Sequence, residues 1–223
     1  MAKPAFDIVT PLVDDAHVIS DIHLGAMKSN LLTHAQFPSP QALDFFHGWI
    51  TKNTIEHLHE TDKGVLIARD PATGAVASFI KWLEYGTGGE VSPPPSTSTV
   101  EDEWPEFCGR HVLDEYANIA ADARRRLMGE RGYFHVTFLC THPRWGGRGA
   151  ASALLRELED MAAVAGKAII LEAVMSAVPL YKRLGFEIRQ RLQLMLPPRG
   201  SKDRTELYLE ESMLWTPPSL EMA

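Results

Sequence analysis

The chain has 223 residues, 45% of them hydrophobic, which is enough for a packed core and argues against a disordered segment. A formal net charge of −7 argues against a general grip on nucleic acid, so none is expected as a partner. Two cysteines, Cys108 and Cys140, are too few for a disulfide framework; with no signal-peptide-like run and no apolar stretch near the ~18–20 residues that cross a bilayer, a cytoplasmic protein without a membrane partner is expected.

Residues 14–27 carry Val18, Ile19, Ile22 and Leu24 among polar neighbours and read as a helix. Ser39-Pro40 is helix-start chemistry, with Leu43, Phe46, Trp49, Ile50 and Ile55 following at helical spacing until Lys63-Gly64 breaks the pattern. Residues 64–69 and 75–84 read as two strands joined by the turn Asp70-Pro71-Ala72-Thr73-Gly74. The stretch 86–105, with Gly88-Gly89, Pro93 to Pro95 and Ser/Thr repeats, reads as a long loop; a domain linker is the alternative, but both flanks look necessary to one sheet. One domain over 1–223 is therefore expected.

Residues 110–128 are helix-like, and Arg124-Arg125-Arg126 near the end suits the helix dipole or a nucleotide contact. Tyr133–Thr141 reads as a strand, 149–165 as a helix with Leu154, Leu155, Leu158, Met161 and Ala162 on one stripe, and 167–174 as another strand. A short helix over 179–184 ends at Gly185, and 186–196 and 206–214 read as two final strands.

The most informative segment runs from Leu139 to Leu155: a strand, a glycine-rich turn and an amphipathic helix. Such a turn aims several backbone N–H groups at one point, which binds phosphate oxygens. A dinucleotide fold would read it as Gly147-x-Gly149-x-x-Ser152 with Glu172 near the place of the ribose acid, but the third glycine is missing and the hairpin upstream does not fit repeated βαβ units. A triphosphate P-loop needs Lys-Ser/Thr after the glycines, where this chain has Ala150-Ala151-Ser152. Coenzyme A, a carrier that asks the loop for no catalytic group, is the third reading.

Here the sequence resembles the GCN5-related N-acetyltransferase (GNAT) superfamily, especially its fungal-type members of unassigned substrate. That family's loop runs Gln/Arg-x-x-Gly-x-Gly/Ala, which aligns with Gly146-Gly147-Arg148-Gly149-Ala150-Ala151 and puts glycine where the family has Gln or Arg. A register starting at Arg144 restores the first residue but displaces the proline spacing and the helix start. Tyr181-Lys182-Arg183-Leu184-Gly185-Phe186 resembles the family's second signature, and the two motifs stand one helix and one strand apart. The resemblance is specific over 133–187.

The resemblance implies an α/β (α+β) fold, a mixed and mostly antiparallel sheet whose one central parallel pair splays to admit acetyl-CoA. It implies direct acetyl transfer to an amine of a small-molecule or other acceptor, by a monomer or homodimer; a non-catalytic acyl-CoA-binding or regulatory domain is the alternative. The backbone of Leu139, Cys140 and Thr141 would pair with the pantetheine arm. The loop Gly146, Gly147, Arg148, Gly149, Ala150, Ala151 and Ser152 would hold the pyrophosphate, with Arg148 as a charge-assisted donor. Tyr181 would protonate the departing thiolate, a phenol of pKa ~10 facing a thiol of ~8.5.

An alkylamine of pKa ~10 must also lose a proton before it attacks. Glu172, at a strand end beside the cofactor strand, is the first candidate base, and Glu84 a weaker one. Trp82 and Tyr85, with Trp104, are candidates to line an acceptor pocket. Cys140 with His142 and Glu172 would allow a covalent route, against the plainer reading of a buried thiol. The histidines lack metal-ligand spacing, so no metal is expected.

Overall fold

A computed structural model describes residues 6–87 and 104–221. Most of the expected 86–105 loop, including Gly88-Gly89 and Pro93 to Pro95, lies outside the described residues. The strands are β1 (Asp7–Val9), β2 (Lys63–Arg69), β3 (Val76–Tyr85), β4 (Tyr133–Thr141), β5 (Ala168–Val174), β6 (Glu187–Leu196) and β7 (Glu206–Trp215). The helices are α1 (Ala16–Ala26), α2 (Leu31–Gln36), α3 (Pro40–His59), α4 (Arg110–Met128), α5 (Ala150–Ala165), α6 (Val178–Arg183) and α7 (Pro218–Glu221). The strands form one seven-stranded sheet in the order β1-β2-β3-β4-β5-β7-β6. Every neighbouring pair is antiparallel except β4–β5. The expected mixed sheet with one central parallel pair is the fold observed.

Local chemistry sets the element ends. Ser39 caps α3 by accepting from the Ala42 N–H at 3.1 Å, with Pro40 in the first turn. In the β2–β3 hairpin Asp70 accepts from the Thr73 N–H at 3.1 Å, and Gly74 supplies the left-handed residue. Three elements, β1, α2 and the four-residue α7, escape the sequence pattern because they are short. The α2 helix has six residues, capped by the Asn30 side chain on the Thr33 N–H at 2.8 Å. β1 has three and pairs with the edge of β2.

Helices cover both faces. α5 buries Leu154, Leu155, Leu158 and Ala162 against Ile80, Val136, Ile169, Leu171 and Met213. On the other face α1 and α3 bury Ile19, Ile22, Phe46 and Ile50 against Val65, Ile67 and Phe79. α4 completes that layer over β6 and β7, with Ala120 and Ala123 against Leu192. The alternation of neighbours such as Leu66 and Ile67, or Phe79 and Ile80, between the two clusters is the strand period of two.

Candidate functional site

The site begins where β4 and β5 part. They pair from Tyr133↔Ala168 only as far as Val136↔Leu171. Beyond that point β4 stays with β3, and β5 stays with β7 through Glu172↔Ser212, Ala173↔Glu211 and Val174↔Glu210. The separation starts at a bulge: Lys81 and Trp82 are consecutive on β3, but their partners Phe138 and Val136 skip Thr137. One extra residue bends β4 and flips the faces that follow. His135 therefore lies toward α4, and after the bulge Phe138 and Cys140 take over that same helical face.

Past the bulge the backbone of β4 faces two ways. The His142 N–H donates to Ala77 O at 2.9 Å, and Ser78 Oγ donates to the Cys140 carbonyl at 2.8 Å. Alternation along the strand turns the main chain of Leu139 and Thr141 the other way, into the opening. Cys140 is therefore committed to β3, and its Sγ lies 3.8 Å from His23 Nδ1 on α1. Burial pushes this thiol up to about 12, which suits a packed core thiol and argues against the covalent route. Burial, then the Lys81 charge, holds His23 down at about 3.

The glycine loop stands at the mouth of the opening. Pro143–Trp145 form a single 3-10 turn, and Gly146 to Gly149 are exposed. Gly147 and Gly149 have φ of 72° and 88°, which only glycine adopts without strain. Gly149 is the N-cap of α5, and the first N–H of that helix with a backbone acceptor is that of Ala153, on Gly149 O at 2.9 Å. The N–H groups of Ala150, Ala151 and Ser152 precede it and have no acceptor within their helix. Gly146, by contrast, sits at φ −56°, open to any residue. Arg148 is exposed and lies over the Trp145 ring at 5.0 Å, which keeps its guanidinium beside the loop. Such a cradle of free donors with no side chain in the way fits a pyrophosphate.

Tyr181 stands on α6, the helix that follows β5, and is buried in the cluster that holds Val136, Leu171 and Ala173. Gly185, at φ +88°, reverses the chain, so that the Phe186 N–H returns to Tyr181 O at 3.0 Å and the two rings meet edge to face at 5.6 Å. This is the physical content of the Tyr-x-x-x-Gly-Phe spacing. Burial, then the charges of Cys140 and Glu210, raise the phenol's pKa.

Glu172 has a different task from the one expected of it. Arg124 Nη1 donates to one carboxylate oxygen at 3.0 Å and His135 Nε2 to the other at 2.9 Å. Burial alone would raise its pKa, but His135 and Arg124 outweigh it and hold the group at about 2. With both oxygens engaged and so low a pKa, Glu172 is fitted to hold a charge, not to take a proton from an ammonium. The same geometry explains the arginine triplet: Arg124 is a buried partner of Glu172, and Arg125 bonds Asp122 at 2.8 Å.

The aromatic candidates lie elsewhere. Trp82 is packed under α5 across Gly64, where an added Cβ would meet the indole at 2.0 Å. Tyr85 stacks on Tyr133 at 4.5 Å, at the start of β4. Thr141 is at the other end of that strand, roughly 25 Å away by strand rise. Glu84, at the same far end, pairs with Lys167 at 2.6 Å. Trp104 packs on Phe37, Phe45 and Trp49. These four hold the sheet and helices together.

Sequence reasoning missed Glu210 on β7. It is 4% exposed and accepts from Tyr116 Oη at 2.6 Å and from Tyr208 Oη. The available signal was three consecutive polar residues, Glu210-Glu211-Ser212, in the middle of a strand that is otherwise apolar toward its end. Among the described residues no group of three or more His, Cys, Asp or Glu is placed to hold a metal ion, and no helix is long and apolar enough to cross a membrane.

Comparison with known proteins bears on this arrangement. Residues 106–193 match the family described as Acetyltransferase (GNAT) domain. No curated protein matches the chain. Among solved structures, it is similar to a histone acetyltransferase-related acetyltransferase from Corynebacterium glutamicum, at 20% identity and TM-score 0.58 over 96% of this chain and 97% of that one. It is also similar to a mosquito arylalkylamine N-acetyltransferase-like protein, at 17% identity and TM-score 0.60 over 95% and 99% of the two chains. A polyamine N-acetyltransferase of Drosophila melanogaster, which forms N-acetylagmatine, gives 13% identity and TM-score 0.60 over 95% and 99%. At these identities the likeness is one of fold. Residues 106–193 thus match a family of enzyme domains, the GNAT acetyltransferases, in a chain that has the GNAT fold.

Proposed function

We propose that the protein transfers the acetyl group of acetyl-CoA directly to an amine of a small molecule. The observation that carries this reading is the opening between β4 and β5, with the glycine loop and the unpaired first N–H groups of α5 after β4, and with Tyr181 on the helix after β5. That two structural neighbours are named for agmatine and polyamine acetylation supports a small amine as acceptor.

Acetyl-CoA, when bound, supplies an activated acyl carbon and a thiolate leaving group. The residues of the chain do the rest. Gly147 to Ser152 present main-chain donors to the pyrophosphate, and Arg148 adds a positive charge that the backbone lacks. Gly146, in an ordinary conformation, contributes no side chain, so the cradle acts through main chain and Arg148. Leu139 and Thr141 offer free backbone groups to the pantetheine amides, and an N–H there holds the acetyl oxygen as charge develops on it. Tyr181 is protonated at neutral pH, as any phenol of pKa ~10 is, and burial raises its pKa further. It is a standing O–H donor to the thiolate; full proton transfer becomes easy only as the negative charge on sulfur forms beside it.

CoA release measured against a panel of amines tests the proposal. Turnover with at least one amine is expected. Saturable CoA binding without turnover on any acceptor would favour a non-catalytic acyl-CoA-binding domain. In single-turnover experiments, where chemistry is observed directly, Tyr181→Phe is expected to slow acetyl transfer by about 10–100-fold while leaving acetyl-CoA affinity within about three-fold. An unchanged chemical step would remove Tyr181 from the role.

A further inference from the structure

We propose that Glu210 is the acceptor-side carboxylate of the site: it binds the ammonium of the incoming amine and takes the proton that the amine must lose. This rests on the acetyl-transfer reading above.

Glu210 is placed by topology. It stands opposite Val174, the last residue of β5, well past the point where β4 leaves that strand. Its side chain lies on the face of β7 shared with Tyr208 and Ser212, the face covered by α4 and opposite α5. The glycine loop runs into α5, so donor and acceptor components occupy opposite faces of one opening. The Glu210 charge is felt by Tyr181, which ties this carboxylate to the place where the thiolate would form.

Its partners leave it incomplete. Tyr116 and Tyr208 each donate one hydroxyl, and Asn30 Nδ2 donates in turn to Tyr208 Oη at 3.1 Å. Tyr208 and Asn30 are partly exposed, so a line of hydrogen bonds runs from the buried carboxylate to the surface at the N-terminus of α2. No lysine, arginine or histidine among the described residues pairs with Glu210. Its neighbours differ: Glu172 holds Arg124 and His135, and Glu211 holds Arg191 at 2.6 Å. A buried carboxylate with neutral partners alone pays for its desolvation without an opposite charge. On the same face, one step along β7, Ser212 Oγ is wholly buried and has no hydrogen-bond partner. A cation that also donates hydrogen bonds answers both deficits, and a primary ammonium has three N–H groups.

The proton balance is simple. The ammonium gives one proton to the carboxylate, leaving a neutral amine and a protonated Glu210. The nitrogen lone pair attacks the thioester carbonyl, so a C–N bond forms and the C–S bond breaks. The second nitrogen proton is lost as the intermediate collapses and ends on the thiolate. Glu210 then returns its proton to solvent. Burial, and after it the nearby Glu172 charge, raise the Glu210 pKa and so narrow the gap to the ammonium it must deprotonate.

Glu210→Gln keeps the shape and removes the charge. Acetyl-CoA affinity and melting temperature of this variant are expected to equal or exceed those of the parent. For primary alkylamines, charged at pH 7, kcat/KM is expected to fall by about 100-fold or more, as for loss of a charge-assisted hydrogen bond together with a general base. A weakly basic aromatic amine, neutral at pH 7, is expected to change by no more than about three-fold. Glu210→Asp is expected to recover part of the alkylamine rate. Equal losses with both amine classes, unchanged kinetics, or a CoA-loaded parent that binds no alkylamine would each overturn the proposal while leaving the CoA site standing. A parent protein that binds no acetyl-CoA would overturn the acetyl-transfer reading and this inference with it.

Discussion

Among the glycines of the loop, the backbone assigns unequal importance. Gly147 and Gly149 hold positive φ, and an added Cβ at either meets nothing within 4 Å, so the penalty for alanine there is conformational, not steric. Alanine in that region costs on the order of 1 kcal/mol. Gly149→Ala is expected to weaken CoA binding about ten-fold, as the helix start shifts to relieve the strain, whereas Gly146→Ala is expected to stay within about three-fold; isothermal titration with CoA reads both. The carboxylates separate just as clearly. Glu172→Gln leaves Arg124 buried without its counter-charge and is expected to cost about 3–5 kcal/mol in urea denaturation. The same pair gives an acid dependence. The folded pKa of Glu172 is about 2 against an ordinary 4.5. Its stabilising contribution is therefore complete above about 4.5 and is lost as the pH falls toward 2.

At the scale of elements, the α3–β3 contact carries the least expected feature. Lys81 is fully buried on β3, donating to Asn53 Oδ1 and to Thr54 Oγ1 on α3. Burial lowers its pKa from 10.5 to about 7; Glu56 pulls it back up and Lys63 pushes it down, while His57 and His23 lie near enough to feel its charge. The unfolded chain thus binds more protons than the folded one between about 7 and 10.5. Stability is expected to rise with pH across that window, with a slope of up to ~1.4 kcal/mol per pH unit, and chemical denaturation of Lys81→Met at several pH values is expected to lack the rise. Nothing in the sequence announced this: a lysine between Ile80 and Trp82 reads as the solvent side of an alternating strand. The elements that were legible had a cap or a long period, as with Ser39-Pro40 before α3 or the Leu154, Leu155 and Leu158 stripe of α5. β1 is only three residues long, and α2, though capped by Asn30, is six, too short for either to show a period. The motif positions were legible because local backbone geometry demands them: positive φ at Gly147, Gly149 and Gly185. The surroundings of Glu172 and the aromatics were not legible because they depend on partners distant in sequence. Arg124 and His135 reach Glu172 from α4 and β4, and Gly64 makes room for Trp82 from the next strand.

For the whole molecule, the sheet behaves as two ribbons joined over a short seam. β1 to β4 form one, β5 to β7 the other, and four residue pairs of β4–β5 hold them together within the sheet. α5 bridges the seam from one face, packing on β2, β3, β4 and β5. Beyond the seam the amide groups of Leu139 and Thr141 turn into the opening, and those of Ala150, Ala151 and Ser152 precede the first bonded N–H of α5. Backbone N–H groups without an acceptor exchange with solvent quickly, and a ligand that supplies the acceptor slows them. Hydrogen exchange with and without CoA is therefore expected to show new protection in two neighbouring stretches, 137–141 at the end of β4 and 147–152 in the loop and first turn of α5 that follow it. Paired amides of β2, β3 and β7 are already bonded and are expected to gain only what the rise in global stability gives them. The size of the effect is set by linkage: at CoA one hundred times its dissociation constant, binding adds about 2.7 kcal/mol to global stability, which slows only amides that exchange through global unfolding. Protection limited to the loop would mean that the ligand sits outside the gap, on the helix end alone. Protection of both stretches together requires a molecule long enough to run from the glycine cradle down along β4, with the acceptor left to approach from the side of α4.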